Sequence, residues 1–375
     1  MASEAEEMSS NKKENSEHSI NMAIQGRIKV IGVGGGGGNA VSYMTEKGMI
    51  GAEIYAMNTD NQALEKNKAP HKVQIGTYLT KGLGAGANPD VGRRAAEESL
   101  HKIEEAIKDC DMLFIMAGMG GGTGTGAASI IAEAAKRKNI VTVGVVTTPF
   151  SFEGKRRSLH ASQGIEALEP YVNSLIIIPN DKLKASLGAD TTLLDAFHKA
   201  DDILHNAIAS IVGIIHTPGH INVDFADVKT VMSSPGLAVI GTGVAAGENR
   251  AEKAIEKAAS CELLEDIDLH DAKGLLVCIT SGDNISLGEF AEIGDSVAGI
   301  ASENAPVIIG TAIKPELGDE LDVTIVATGF EANLGDKKPD NKVRLQRGML
   351  DGELKHQESV PLTPLRKAKP KDEKK

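Results

Sequence analysis

Residues 28–41 read IKVIGVGGGGGNAV, and residues 112–136 read MLFIMAGMGGGTGTGAASIIAEAAK. In the first, an apolar run from Ile28 to Val33 opens into five glycines, Gly34 to Gly38, and closes on Asn39. In the second, the run Met112 to Ala117 opens into Gly120, Gly121, Gly122, Thr123, Gly124, Thr125 and Gly126. A strand-like stretch that stops at glycines before a helical pattern leaves backbone N–H groups free at a helix N-terminus, where the dipole also favours an anion. Two such junctions in one sheet point to a polyphosphate held from both sides.

Outward from these loops, strand-like runs recur at Glu53–Met57, Val141–Val146 and Leu175–Ile178, with helical stretches between them, notably Gly92–Lys108 and Ala127–Lys138. Near-continuous apolar strands separated by helices predict a parallel sheet covered on both faces. From Thr192 to His216 apolar residues recur at three- and four-residue spacing without a proline, which predicts one long, mostly buried helix ended by Pro218 and Gly219. A second alternation follows, with strand-like runs at Leu237–Ile240, Gly274–Thr280, Pro306–Ile309 and Leu321–Ala327, and helical patterns at Arg250–Ala259 and Leu287–Ala301. The fold class expected is α/β. It has a disordered N-terminal arm (1–26), a parallel-sheet nucleotide-binding domain (27–190) and a central connecting helix (191–217). A smaller α/β C-terminal domain (218–330) and a disordered basic tail (331–375) complete it.

Bulk properties narrow the function. A formal charge of −12 argues against wrapping DNA or RNA, and 3% aromatic residues without tryptophan argue against base-stacking platforms. No apolar stretch approaches a membrane span, and the N-terminal residues lack a signal peptide's apolar region, so direct membrane insertion is not expected. Cys110, Cys261 and Cys278 are scattered, which suits a reducing cytoplasm. There is no HExxH, and Pro218 and Gly219 separate His216 from His220, so no protein-held metal is expected.

The first glycine loop taken alone also fits a dinucleotide site, with Asp60 about twenty residues further on where such folds place a ribose-binding acid. No GxxxxGK[ST] exists to form a P-loop. The second loop is a richer cradle, with two hydroxyls at Thr123 and Thr125, and signals a nucleoside di- or triphosphate. In TTPFSFEGKRR, Glu153 and Arg157 follow a strand's C-terminal end; they belong either to a solvated loop or to ribose and phosphate contacts. In NVDFADV, Asp224 and Asp227 serve as helix caps and surface, or with Asn222 they orient water or a cation for phosphoryl chemistry.

Taken together, GVGGGGGNAV, NTD (58–60), KGLGAGANP (81–89), AGMGGGTGTGAA, FEGKRR, IPNDKL (178–183), LLDAF (193–197) and NVDFADV resemble the FtsZ family, bacterial cell-division GTPases related to tubulin. The resemblance covers about residues 27 to 330. It implies a GTP hydrolase that polymerises head-to-tail into protofilaments, scaffolds the division ring at mid-cell in the cytoplasm, and takes GTP as substrate with Mg2+ bound through its phosphates. It assigns Gly35, Gly36, Gly37, Gly38 and Asn39 to phosphate and guanine, Gly122, Thr123 and Gly124 to the phosphate cradle, and Gly84, Ala85, Gly86 and Ala87 to the γ-phosphate. Glu153 matches a ribose contact, Arg157 a nucleotide contact and Phe197 the residue packing on guanine. Asp201 matches the guanine-reading position, with Asp202 leaving the register open by one. Asn222, Asp224 and Asp227 match the catalytic loop.

Helix geometry adds one inference. Asp201 and Asn222 are about twenty residues apart with mostly helix between them, on the order of 25–30 Å. If Phe197 and Asp201 touch the base, Asp224 reaches a γ-phosphate only on the next subunit, so association completes the active site. The family's adaptor-docking C-terminal peptide is matched only by Pro364–Lys367, which leaves the membrane-tethering adaptor unidentified. The remaining alternatives are a tubulin-like polymer for plasmid segregation or cell shape, and an NAD-dependent oxidoreductase.

Overall fold

A computed structural model describes residues 26–187, 191–217, 219–264, 267–302 and 305–331. The expected arm and tail lie outside these residues apart from Gly26 and Glu331. In chain order the first elements are β1 (Ile28–Val33), α1 (Gly34–Glu46), β2 (Glu53–Asn58), α2 (Asn61–Lys66), β3 (His71–Gln74) and α3 (Thr77–Thr80). Next come α4 (Pro89–Glu98), α5 (Leu100–Ala106), β4 (Met112–Gly118), α6 (Thr123–Arg137), β5 (Val141–Thr148), α7 (Lys155–Leu168), β6 (Ser174–Pro179) and α8 (Asn180–Ser186). The central helix α9 (Leu193–His216) leads to α10 (Phe225–Met232), β7 (Gly236–Ala246), α11 (Arg250–Ala259), β8 (Gly274–Ser281), α12 (Leu287–Ile300), β9 (Val307–Ile313) and β10 (Glu320–Phe330).

All ten strands form one sheet in the order β3-β2-β1-β4-β5-β6-β7-β10-β8-β9. Pairing is parallel from β3 to β7; β10 runs antiparallel to both β7 and β8, and β8 and β9 are again parallel. The strands of the second alternation, expected as a smaller α/β domain, continue the same sheet. Ser174–Ile176 of β6 pair with Gly236–Ala238 of β7. Strand order reverses at β1, whose two neighbours are β2 and β4. The β1–β4 register runs from Ile28↔Met112 to Val33↔Ala117, so the two glycine runs leave adjacent strands side by side. That is the crevice where open parallel sheets bind ligands.

Alternation of side chains feeds two cores. Ile28, Val30, Met112, Phe114 and Met116 face one side; Ile31, Val33, Leu113, Ile115 and Ala117 face the other. Helix α9 lies in the first core, where Leu204, Ala207, Ile208, Ile211, Val212 and Ile215 join residues of β1, β4, β5, β7, β8 and β10. A third core packs α11 and α12 on the opposite face of β7, β8 and β10. Among the described residues no helix is long and apolar enough to cross a membrane.

Several helix boundaries differ from the sequence reading. The expected Gly92–Lys108 helix is two helices, starting earlier, at Pro89, and broken at Ser99, whose hydroxyl turns to accept the Gly76 N–H at 2.8 Å. Both glycine runs, expected as loops, are largely helical: Gly34 to Gly38 open α1, and Thr123 to Gly126 open α6. Each glycine costs roughly 1 kcal/mol of helix propensity, and close packing overrides that cost. A Cβ on Gly37 would lie 2.2 Å from the Met116 carbonyl oxygen, and one on Gly126 would lie 2.0 Å from that of Pro89.

Packing therefore separates two substitutions of the same kind. Gly126→Ala should destabilise the protein by about 1–3 kcal/mol, because α4 and α6 must separate to admit a methyl group. Gly213→Ala in α9, where a Cβ meets no described atom within 4 Å, should be neutral or stabilise by up to ~1 kcal/mol. Urea midpoints of the two variants check the contrast.

Candidate nucleotide site

Helices α1 and α6 both begin without a side-chain cap, at Val33 and Gly122 respectively, so their first-turn N–H groups depend on other partners. Between them lies a cleft of about 590 Å3, a size that suits a nucleotide. Gly35, Gly36, Gly37 and Asn39 line it from α1, and Gly121, Gly122, Thr123 and Gly124 from the start of α6. A Cβ at Gly35 or Gly121 would meet no described atom within 4 Å. Those two positions present bare backbone to the cleft, while Gly37 and Gly126 serve packing. Gly38 is set apart from this lining: its carbonyl accepts the Asn67 side-chain N–H at 2.7 Å.

The two threonines of the second run divide their roles. Thr123 lines the cleft and exchanges a hydrogen bond with the Thr59 hydroxyl at 2.7 Å. Thr125, expected as a second hydroxyl of the cradle, accepts the Gly120 N–H at 2.9 Å and does not line the cleft. The loop before α4 brings Gly84, Ala85, Gly86 and Ala87 to the opposite wall. Ala87 holds the left-handed region at φ 55°, a conformation costly for a residue with a Cβ and concentrated at functional sites.

Glu153 and Arg157 stand on the rim, joined by a 2.9 Å ion pair. The other Glu153 oxygen accepts the Phe150 N–H at 2.9 Å, which fixes the carboxylate. At the far end of the cleft are Phe197 and Asp201 of α9. Phe197 meets the buried Phe150 ring edge-on at 5.6 Å. Of the two adjacent aspartates, Asp201 lines the cleft and Asp202 accepts the Tyr43 hydroxyl. Burial pushes the Asp201 carboxyl up to about 7; Asp202 adds to the shift and His198 opposes it.

Asn180, which lies in the IPNDKL motif but was assigned no role from the sequence, belongs to the same lining. Its Oδ1 is buried and has no partner among the described residues. The signal was available, since Asn180 is the first residue after β6, at the C-terminal edge where parallel sheets bind ligands. Asp60, the ribose acid of the dinucleotide reading, commits Oδ1 to the N–H groups of Gln62 (2.9 Å) and Ala63 (3.2 Å) and so caps α2.

Asn222, Asp224 and Asp227 are exposed and do not line this cleft. Helix α9 carries the chain from Asp201 to His216, a rise of about 22 Å, before their loop begins. The loop is pinned to β9, with the Ile221 N–H donating to Thr311 Oγ1 at 2.9 Å and the Thr311 N–H to the Ile221 carbonyl at 3.0 Å. Asn222 accepts the Gly219 N–H at 3.0 Å, and Asp224 accepts the Asp227 N–H at 2.8 Å as the N-cap of α10.

Residues 27–188 match the Tubulin/FtsZ family, GTPase domain, and residues 236–331 match the FtsZ family, C-terminal domain. The chain is 53% identical over 324 residues to the cell division protein FtsZ of Wigglesworthia glossinidia brevipalpis, covering 86% of this chain and 84% of that one. It is 54% identical over 328 residues to the cell division protein FtsZ of Pseudomonas aeruginosa, covering 86% and 83%. A solved FtsZ dimer from M. jannaschii superposes with a TM-score of 0.79 at 42% identity, covering 85% of this chain and 92% of that one.

The buried Asp201 carboxyl has a consequence for the nucleotide-free protein. Its folded pKa is raised from 3.8 to about 7, so the stability it contributes is full below its unfolded value and lost as pH rises through the folded one. Asp201→Asn removes this dependence. At pH 8 the variant should be more stable than the parent by roughly 1–3 kcal/mol, and the gap should close near pH 4. Chemical denaturation at both pH values checks it.

Proposed function

The chain belongs to the tubulin/FtsZ GTPase family, and from that membership we propose that GTP occupies the cleft between α1 and α6 and that subunits assemble head-to-tail. Hydrolysis then occurs where the loop preceding α10 of one subunit meets the cleft of the next. The protein is a GTP-hydrolysing enzyme of cell division. The observation that carries the finer reading is the separation of the two sets of residues: the cleft lies at one end of α9 and the exposed acids of NVDFADV follow its other end.

In this reading residues 27–190 hold the nucleotide, 191–217 connect, and 218–330 carry the catalytic loop. The free N–H groups of α1 and α6 face the phosphates. Glu153 holds ribose, Arg157 adds charge near the phosphates, and Phe197, Asp201 and Asn180 meet the guanine. Asn222, Asp224 and Asp227, presented to the next subunit, orient the attacking water, since phosphoryl transfer depends mainly on positioning and electrostatics. The cleft offers Mg2+ no protein cage: among the described residues no three His, Cys, Asp or Glu side chains gather for a metal. Mg2+ fits here through the nucleotide phosphates and water, where it neutralises phosphate charge. The cell-division role of the relatives favours a mid-cell ring, recruited by an adaptor, over a plasmid-segregation polymer.

Three measurements test this. Asp224→Asn keeps an N-cap acceptor, so α10 survives while the charge is removed. We expect GTP binding within about twofold of the parent, with turnover in assembled protein down by about 100-fold or more, the scale of losing a transition-state electrostatic group. Specific activity of the parent should also fall on dilution below the assembly concentration; flat activity would count against a shared site. Separately, saturating GTP should raise the thermal midpoint of the full chain by several degrees, and NAD should leave it unchanged. Protection by NAD would reinstate the dinucleotide reading.

A further inference from the structure

Residues 201 and 202 are both aspartates, and on a helix neighbouring side chains point about 100° apart. Only one of them can face the cleft. Asp201 shares its stripe of α9 with Phe197, Ala200 and Leu204, all of which line the cleft. The adjacent stripe, His198, Asp202 and His205, surrounds Tyr43 of α1. The Tyr43 hydroxyl donates to Asp202 Oδ1, and its ring lies 6.2 Å from the His198 ring and 6.1 Å, edge-on, from His205. The Lys47 ammonium sits 5.2 Å from the centroid of the same ring.

Near the start of α9 the edge-on contact of Phe197 with the buried Phe150 ring, 5.6 Å between centroids, holds the helix from one side. Its buried residues begin only at Ala200, and Leu193 and Leu194 are 58% and 65% exposed. The core that holds α9 therefore acts from the middle of the helix onward. Two residues beyond Ala200, the contact of Asp202 with Tyr43 adds a directional bond. Tyr43 also belongs to the helix whose opening glycines line the phosphate end of the cleft. One hydrogen bond thus joins the phosphate-facing helix to the base-facing helix.

We propose that Tyr43 is a positioning residue: by holding Asp202 it sets the rotation of α9, keeps Asp201 in the cleft, and so determines how strictly the site selects guanine. This rests on the reading of the cleft as a GTP site with Asp201 at the base. Guanine offers two adjacent donors, N1–H and the 2-amino group, which match the two oxygens of a carboxylate. Hypoxanthine lacks the 2-amino group. A correctly aimed Asp201 discriminates between them, and a loosened one discriminates less.

The test is equilibrium binding of GDP and inosine diphosphate to the full chain below its assembly concentration, by competition with a ribose-labelled fluorescent GDP. The parent should prefer GDP by about 10–100-fold, the scale of one hydrogen bond to a charged group. Asp201→Ala should abolish the preference; if it does not, both the base assignment and the role of Tyr43 fall. Tyr43→Phe, with its thermal midpoint checked against the parent, should narrow the preference about three- to tenfold, a change of ratio that a loss of stability alone does not produce. Asp202→Ala should match it, and Asp202→Asn, which keeps a carbonyl acceptor for the phenol, should restore the parent ratio. Tyr43→Phe with the parent's ratio overturns the proposal even where Asp201→Ala behaves as expected. Should Tyr43→Phe fail to fold, equal ratios for Asp202→Ala and Asp202→Asn overturn it instead.

Discussion

From Leu204 to Ile215 the central helix buries an apolar stripe against strands lying on both sides of the β6–β7 junction. Each fully buried aliphatic side chain contributes roughly 1.5–3 kcal/mol, so this stripe is among the strongest single constraints in the molecule. It also sets a length. A helix that must lie flat on the sheet carries its first turns to the nucleotide cleft and delivers the following loop to the opposite end. The separation between base-facing and acid-bearing residues follows from helix rise, and it needs no flexible element.

At the cleft itself, chemistry is assembled mostly from backbone. Two uncapped helix N-termini converge because β1 and β4 are neighbours in register. The glycines divide between two duties. Gly37 and Gly126 let helix and neighbouring backbone approach more closely than a Cβ allows, while Gly35 and Gly121 leave bare backbone on the cleft wall. Neither duty can be exchanged for helix propensity, which explains why poor helix formers open α1.

Polar groups in both functional regions carry local structural loads as well. Asp224 caps α10, Asn222 closes a turn on Gly219, and Asp60 caps α2. Asp201 is the contrasting case: its carboxyl is pushed up to about 7 by burial, so at neutral pH it costs the nucleotide-free fold stability. A group held at a cost in the empty fold marks a site organised around a ligand.

Much of this was legible in the chain alone. The apolar runs located every strand but β3, whose four residues, His71–Gln74, are largely polar and partly exposed. The spacing from Thr192 to His216 bounded α9 to within a residue. The motif residues Gly35, Thr123, Glu153, Arg157, Phe197 and Asp201 do share one cleft. Composition and periodicity report on burial, and burial is what the strands and α9 depend on; the site residues were named by the family resemblance of their motifs. Three matters were decided only in three dimensions: that the glycine runs are helical, that all ten strands share one sheet, and that Asp201 and not Asp202 faces the cleft. Each turns on a contact between residues far apart in sequence: Gly37 with Met116, Ser174 with Gly236, Tyr43 with Asp202. Local pattern constrains which face of an element is apolar. The rotation of a helix and the joining of strands are chosen by the partner that the folded chain brings against them.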